Sequence, residues 1–134
     1  MKTMLKVKNL SVEYAGFGRT IEAVSSVSFD LEQGESLGLV GESGSGKTTL
    51  ASSLLGLTAN NAKVSGQVFF KDKELTDLSE KEYKKLRWRQ LAMVPQNTLE
   101  ALNPVLTVGA QVEEPLKFHS KLDRRELKAR VSEL

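Results

Sequence analysis

The residues whose types and spacing carry the clearest chemistry are Gly41-Glu42-Ser43-Gly44-Ser45-Gly46-Lys47-Thr48, a match to the pattern G-x-x-x-x-G-K-[ST]. Four fixed positions of this kind arise by accident in roughly one chain of this size in two hundred. The chemistry is anion capture. Three glycines let the backbone turn its N–H groups inward, because glycine tolerates φ > 0 and leaves no Cβ in the way. Those N–H groups, and the positive end of a helix beginning at the lysine, face phosphate oxygens. Lys47 adds a flexible point charge that reaches the β- and γ-phosphates of a nucleotide. Thr48 offers a hydroxyl to Mg²⁺, and Thr49 reaches a nearer phosphate oxygen. The rival reading is a glycine-rich turn with an accidental lysine. It fails to explain why an apolar strand pattern leads in and a helical pattern leads out.

Those flanking elements follow from periodicity. Ser36 to Val40 reads as a short strand apolar on both faces, as in the middle of a sheet. From Lys47 the apolar residues Leu50, Leu54 and Leu57 recur at helical spacing, and Gly56 and Asn60-Asn61 end the helix. Ahead of the loop, residues 4–14 alternate as a strand with an irregularity at Asn9-Leu10. Ala15-Gly16-Phe17-Gly18 is turn chemistry, and Val27, Phe29 and Leu31 mark a second half-buried strand closed by Gln33-Gly34. Val64 to Phe70 is another strand. Ser79 with Glu82 forms a capping box, with Leu78 and Tyr83 as its hydrophobic staple. The charge-rich run Lys71 to Gln90 reads as a solvated face rather than a nucleic-acid patch. Leu91 to Val94 is a buried strand stopped by Pro95, Gln96 to Pro104 a loop, and Val105 to Phe118 partly helical. Asp123 with Glu126 caps a last helix whose stripe is Leu127, Val131 and Leu134, with Leu122 and Leu127 as staple.

Composition bounds the rest. The chain has 134 residues, 40% hydrophobic and 27% charged, enough for a real core and too apolar for disorder. It has no cysteine and one histidine, which excludes disulfide frameworks and thiolate or histidine metal clusters. Its apolar runs reach about four residues where a membrane span needs roughly 20, and MKTMLKVKNL lacks the apolar segment of a signal peptide. A net charge of +2 is too small to argue for nucleic acid as a partner. A soluble, intracellular α/β protein is the expectation.

The string VSFDLEQGESLGLVGESGSGKTTL resembles the start of an ATP-binding cassette, the nucleotide-binding subunit of ABC transporters, and the resemblance runs over essentially the whole chain. It implies further roles. Tyr14 matches the family's A-loop aromatic, which stacks on adenine; a strand-end tyrosine packed on the core is the other reading. Gln96, in Met93-Val94-Pro95-Gln96, matches the Q-loop glutamine, which approaches Mg²⁺ and the attacking water and relays nucleotide state to the membrane subunit. Gln96 to Pro104, Thr107-Val108-Gly109 and Glu114-Pro115-Leu116 resemble the oligopeptide, dipeptide and nickel importer group. Thr98 stands where proline is usual there and Ala101 where serine is usual. No apolar run followed by Asp-Glu and no L-S-G-G-Q signature occurs in these residues. Ser65-Gly66-Gln67 reads as a turn, and His119 as a solvated linker residue.

The resemblance implies an α/β P-loop NTPase fold, with a RecA-like core, an N-terminal antiparallel β portion and the start of a helical subdomain, truncated. Residues 1–102 would be the N-terminal part of the ATP-binding core and residues 103–134 the start of the helical subdomain. The implied ligands are ATP and Mg²⁺. The implied partners are membrane permease subunits, docked through the Q-loop region, and a second ATP-binding subunit in a head-to-tail dimer. The implied location is cytoplasmic, peripheral on the inner face of the cell membrane. Such a chain would bind nucleotide yet lack most of the groups for turnover. The alternative is a stand-alone, non-enzymatic ATP-binding module. A small-molecule kinase would need an arginine lid, and Arg124 and Arg125 lie on a capped helix without glycine hinges.

Overall fold

Val7, Leu10 and Val12 are all buried on strand β1 (Thr3–Gly16), spaced by three and then two where a strand's period is two. A bulge reconciles them. Asn9 sits at φ 47 and inserts one extra residue, so that Val7 pairs Phe29 and Leu10 pairs Val27 of β2 (Arg19–Glu32). On its other side β1 pairs β3 (Ala62–Phe70), where the same insertion separates Lys8–Gln67 from Ser11–Ser65. The two-residue strand β4 (Lys73–Glu74) completes an antiparallel sheet in the order β2-β1-β3-β4. The computed structural model describes residues 2–16, 18–97 and 102–133, and these divide into two units, Met1–Lys84 and Lys85–Leu134.

Strand β2 carries two extra residues of its own. Ser26, at φ 47, falls between the pairs Leu10–Val27 and Val12–Val24, and Ala23 falls between Val12–Val24 and Glu13–Glu22. Serine hydroxyls serve backbone groups that the bulges turn aside. The Ser26 N–H donates to Ser11 Oγ and the Asn9 N–H to Ser28 Oγ, each at 2.8 Å. The Ser65-Gly66-Gln67 turn expected from sequence is instead the middle of β3. Gly66, at φ 94, lies where a Cβ would be 2.4 Å from the Asn9 carbonyl oxygen, so its glycine serves close approach rather than chain reversal. The hairpin between β1 and β2 closes at Gly16 opposite Arg19, and the expected turn residue Phe17 lies outside the described residues.

Helix α1 (Lys47–Leu54) begins at the expected lysine and ends before Gly56, at φ 60. It buries Leu50 and Ser53. Helix α2 (Glu80–Leu86) starts at the expected capping residues: the Glu82 carboxylate accepts from the Ser79 N–H at 3.0 Å and the Ser79 hydroxyl at 2.8 Å. Tyr83 is buried and covers Gly56, where a Cβ would lie 2.7 Å from the ring.

The expected strand at Ser36 to Val40 does not form. Those residues carry no ladder, Leu37 and Leu39 are exposed, and Val40 is 98% exposed. A strand apolar on both faces is stable only between two partners that pair its N–H and C=O groups. No described strand supplies them. Leu91 to Val94 meets the same limit. Leu91 makes one isolated bridge with Arg87, and Val94 is 84% exposed.

In the second unit, α3 (Val108–His119) is capped by Thr107, whose Oγ1 accepts from the Ala110 N–H at 3.3 Å. Gln111 ties the preceding loop down: its Oε1 accepts from the Asn103 N–H at 2.7 Å and its Nε2 donates to the Asn103 carbonyl at 3.0 Å. His119 is the last residue of α3, edge-on to Phe118, and half-buried rather than a solvated linker residue. Helix α4 (Arg124–Glu133) carries the expected box in full. The Asp123 N–H donates to Glu126 Oε2 at 2.7 Å, and Asp123 Oδ1 accepts from the Glu126 N–H at 2.9 Å. Leu127 is buried and Val131 half-buried, while Leu134 lies outside the described residues.

Candidate functional site

The loop of the first unit is set by three glycines that do different work. Gly44 and Gly46 hold φ of 81 and 88, in the left-handed region. Gly41 does not, which corrects the expectation that all three glycines serve positive φ. A Cβ at Gly41 would lie 2.7 Å from Ser45 Oγ, so the serine folds over it. The Ser45 N–H donates to the Glu42 carbonyl at 3.2 Å, closing a turn around Ser43 and Gly44. Gly46 then caps α1 through its backbone alone, and the first helical bond runs from the Leu50 N–H to the Gly46 carbonyl at 2.8 Å. Like any α-helix, α1 leaves its leading N–H groups without intrahelical acceptors, and the helix dipole makes that end positive.

Lys47 lies across the loop. Its Nζ donates to the Gly41 carbonyl at 2.8 Å, the Glu42 carbonyl at 2.6 Å and Ser45 Oγ at 3.2 Å. A cavity of about 170 Å³ opens beside it, lined by Ala23, Gly44, Ser45, Gly46, Lys47, Thr48 and Thr49. The start of α1, Lys47, Thr48 and Thr49 therefore border one small space, an arrangement suited to a multiply charged oxyanion.

Sequence reasoning missed Ala23. It is one of the two bulged residues of β2, and its carbonyl oxygen would be 2.1 Å from a Cβ on Gly46. The sheet thus seats the loop through the backbone of an irregular strand. No spacing in the sequence marks it: the out-of-step pair Val24 and Val27 reports the bulge at Ser26, not the one at Ala23.

Tyr14 is half-buried on β1, opposite Ile21 and Ala62, and is not among the described residues lining the cavity. Gln96 is exposed in a bend of the second unit, after Pro95. Of the importer-type string Gln96 to Pro104, residues 98–101 lie outside the described residues. Among the described residues no helix is long and apolar enough to cross a membrane.

A glycine-rich loop at a helix start, braced by an antiparallel sheet, defines a phosphate-loop protein of the P-loop NTPase class. Comparison with known proteins takes this further. The ABC transporter family matches residues 24–134. The chain is 42% identical over 133 residues to the dipeptide transport ATP-binding protein DppD of Bacillus subtilis, covering 98% of this chain and 40% of that protein. It is 40% identical over 125 residues to the oligopeptide transport ATP-binding protein OppD of Haemophilus influenzae, covering 93% and 39%. Among solved structures, the ATP-binding cassette MJ0796 in a dimeric post-hydrolysis state bound to ADP and Pi superimposes with a TM-score of 0.78 at 28% identity, over 97% of this chain and 55% of that one. The chain belongs to the ABC transporter family. Members of that family bind and hydrolyse ATP. The chain spans about two fifths of the length of these two curated relatives.

Proposed function

We propose that this chain is the ATP-binding part of an ABC importer's nucleotide-binding subunit, which couples ATP binding and hydrolysis to transmembrane import of peptides or similar small solutes. The observation that carries the reading is the seating of Gly46 against Ala23, which aims the start of α1 and Lys47 at one cavity. The similarity to dipeptide and oligopeptide transport proteins supports the peptide class.

The residues present fit a nucleotide. The backbone of Gly41 to Gly46 would cradle the phosphates, including the groups of Glu42, Ser43 and Ser45. Lys47 would trade a carbonyl of Gly41 or Glu42 for a phosphate oxygen, a charge-assisted exchange. Thr48 would hold Mg²⁺ and Thr49 a phosphate oxygen. Bound MgATP supplies the phosphoryl group and the metal charge that offsets its negative oxygens. Tyr14 would stack on the base, and Gln96 would orient water and reach the metal. In this reading residues 1–102 belong to the ATP-binding core and 103–134 to the helical subdomain. The Q-loop region meets permease subunits on the cytoplasmic face of the cell membrane, and a second cassette completes the site in a head-to-tail dimer.

The test is calorimetric titration of the chain with MgATP beside its Lys47→Ala variant, together with uptake of a labelled dipeptide by cells carrying either form of the gene. Unchanged binding in the variant refutes the site. Uptake that does not depend on Lys47 refutes the transport role.

A further inference from the structure

Trp88 is the chain's single tryptophan. It is 68% exposed, so it gains little from burial. Its φ is 64, in the left-handed region, where a bulky side chain is a genuine outlier and glycine sits without cost. The backbone conformation points away from tryptophan here, and strain of this kind concentrates at functional positions.

The backbone around it is firmly closed. The Leu86 carbonyl lies within hydrogen-bond distance of the N–H groups of Arg89 at 3.2 Å, Gln90 at 2.9 Å and Leu91 at 3.1 Å. The Trp88 N–H donates to the Leu91 carbonyl at 2.8 Å. The indole is therefore presented from a fixed turn. Lys85 and Arg89 flank it in the chain and are exposed, and the sequence has no acid between Glu82 and Glu100.

We propose that Lys85–Arg89, the end of α2 and the turn that follows it, is a contact for an anionic phospholipid surface, with the Trp88 indole seated at headgroup level and Lys85 and Arg89 facing the lipid phosphates. Indole is an amphipathic ring that favours the membrane–water interface. Each cation near an anionic leaflet multiplies partitioning roughly fivefold. Charge complementarity admits other polyanions. A single-stranded nucleic acid, however, is held by a series of stacking aromatics along a strongly basic groove, and here one aromatic stands in a chain of net charge +2. The contact is interfacial and reversible, and it depends neither on nucleotide nor on a permease.

Because Trp88 is alone, its emission reports on this turn directly. The full 134-residue chain is titrated with phosphatidylcholine–phosphatidylserine vesicles and with pure phosphatidylcholine vesicles. The expected result is a blue shift on the anionic vesicles, none on the neutral ones, and reversal at high salt. Lys85→Glu and Arg89→Glu each lower apparent partitioning by at least about fivefold. Trp88→Gly, which suits φ 64 and keeps the fold, is lost from the floating vesicle fraction. Unchanged emission with anionic vesicles overturns the proposal. So does Trp88→Gly flotation equal to wild type, or a shift produced by a single-stranded oligonucleotide and not by vesicles.

Discussion

The carbonyl oxygen of Ala23 occupies the place where Gly46 would carry a side chain: a Cβ built on Gly46 falls 2.1 Å from it. Gly46 also holds φ 88, so two independent costs meet at one position. Gly44, at φ 81, meets only the second, with nothing within 4 Å of its Cβ direction. Gly46→Ala must therefore move the loop off β2, and nucleotide affinity should fall by at least as much as on losing Lys47, roughly ten- to a hundredfold. Gly44→Ala pays about 1–3 kcal/mol of backbone strain and should keep more of the binding. Paired calorimetric titrations separate the two, and equal losses would contradict the contact with Ala23.

The bulge at Asn9 makes a similar distinction in the sheet. Gly66→Ala would place a methyl group 2.4 Å from the Asn9 carbonyl oxygen and 2.8 Å from Leu10 Cα. It should destabilise the first unit by at least about 2 kcal/mol, from positive φ and overpacking together. Asn9→Gly relaxes φ 47 while losing one exposed bond from the Ser28 hydroxyl, and should lie within about 1 kcal/mol of wild type. Urea unfolding followed by far-ultraviolet circular dichroism measures both.

Helix α4 depends on its first turn, because Leu127 is its one buried residue among those described. Asp123 Oδ1 accepts from the N–H groups of Arg125 at 2.7 Å and Glu126 at 2.9 Å. Asp123→Ala frees both donors and should cost about 0.5–2 kcal/mol of local stability. Amide hydrogen exchange at Arg125 and Glu126 should accelerate while the amides of β1 keep their rates. Acceleration throughout the chain would mean that the cap supports more than its own helix.

What could be read from sequence divides along physical lines. The phosphate loop, the Asn9 irregularity and the Asp123–Glu126 cap were legible because each is a local pattern: its partners lie within a few residues, and period or residue type exposes it. Ser36 to Val40 and Leu91 to Val94 read as strands from apolar runs alone, yet a run carries no information about which segment pairs with it. Gly66 reads as a turn because glycine marks both chain reversal and close approach, and only the Asn9 backbone tells them apart. Ala23 was invisible because an alanine methyl says nothing. Its carbonyl does the positioning, and a bulge places it.

Nucleotide binding and turnover should separate in these 134 residues. In the proposed reading the donors for phosphate are the backbone of residues 41–49, the Lys47 ammonium and the hydroxyls of Thr48 and Thr49, all in the first unit. ATP and ADP should therefore bind. Lys47→Ala should weaken them by about 1.5–3 kcal/mol, roughly ten- to a hundredfold. Tyr14→Ala should cost less, on the order of 1 kcal/mol, since water contacts partly replace stacking. Thr48→Ala should leave metal-free nucleotide affinity nearly intact and remove most of the gain from Mg²⁺. Hydrolysis needs more, because phosphoryl transfer to water is mostly positioning and charge stabilisation. The sequence of these residues holds no Asp-Glu pair after an apolar run and no L-S-G-G-Q string. Gln96 alone cannot stand in for a metal-binding acid, a water-orienting glutamate and a partner's signature motif. Phosphate release from the titrated preparation should stay near background, and Lys47-dependent turnover near about one per second would show that the loop half of the machine is catalytically sufficient.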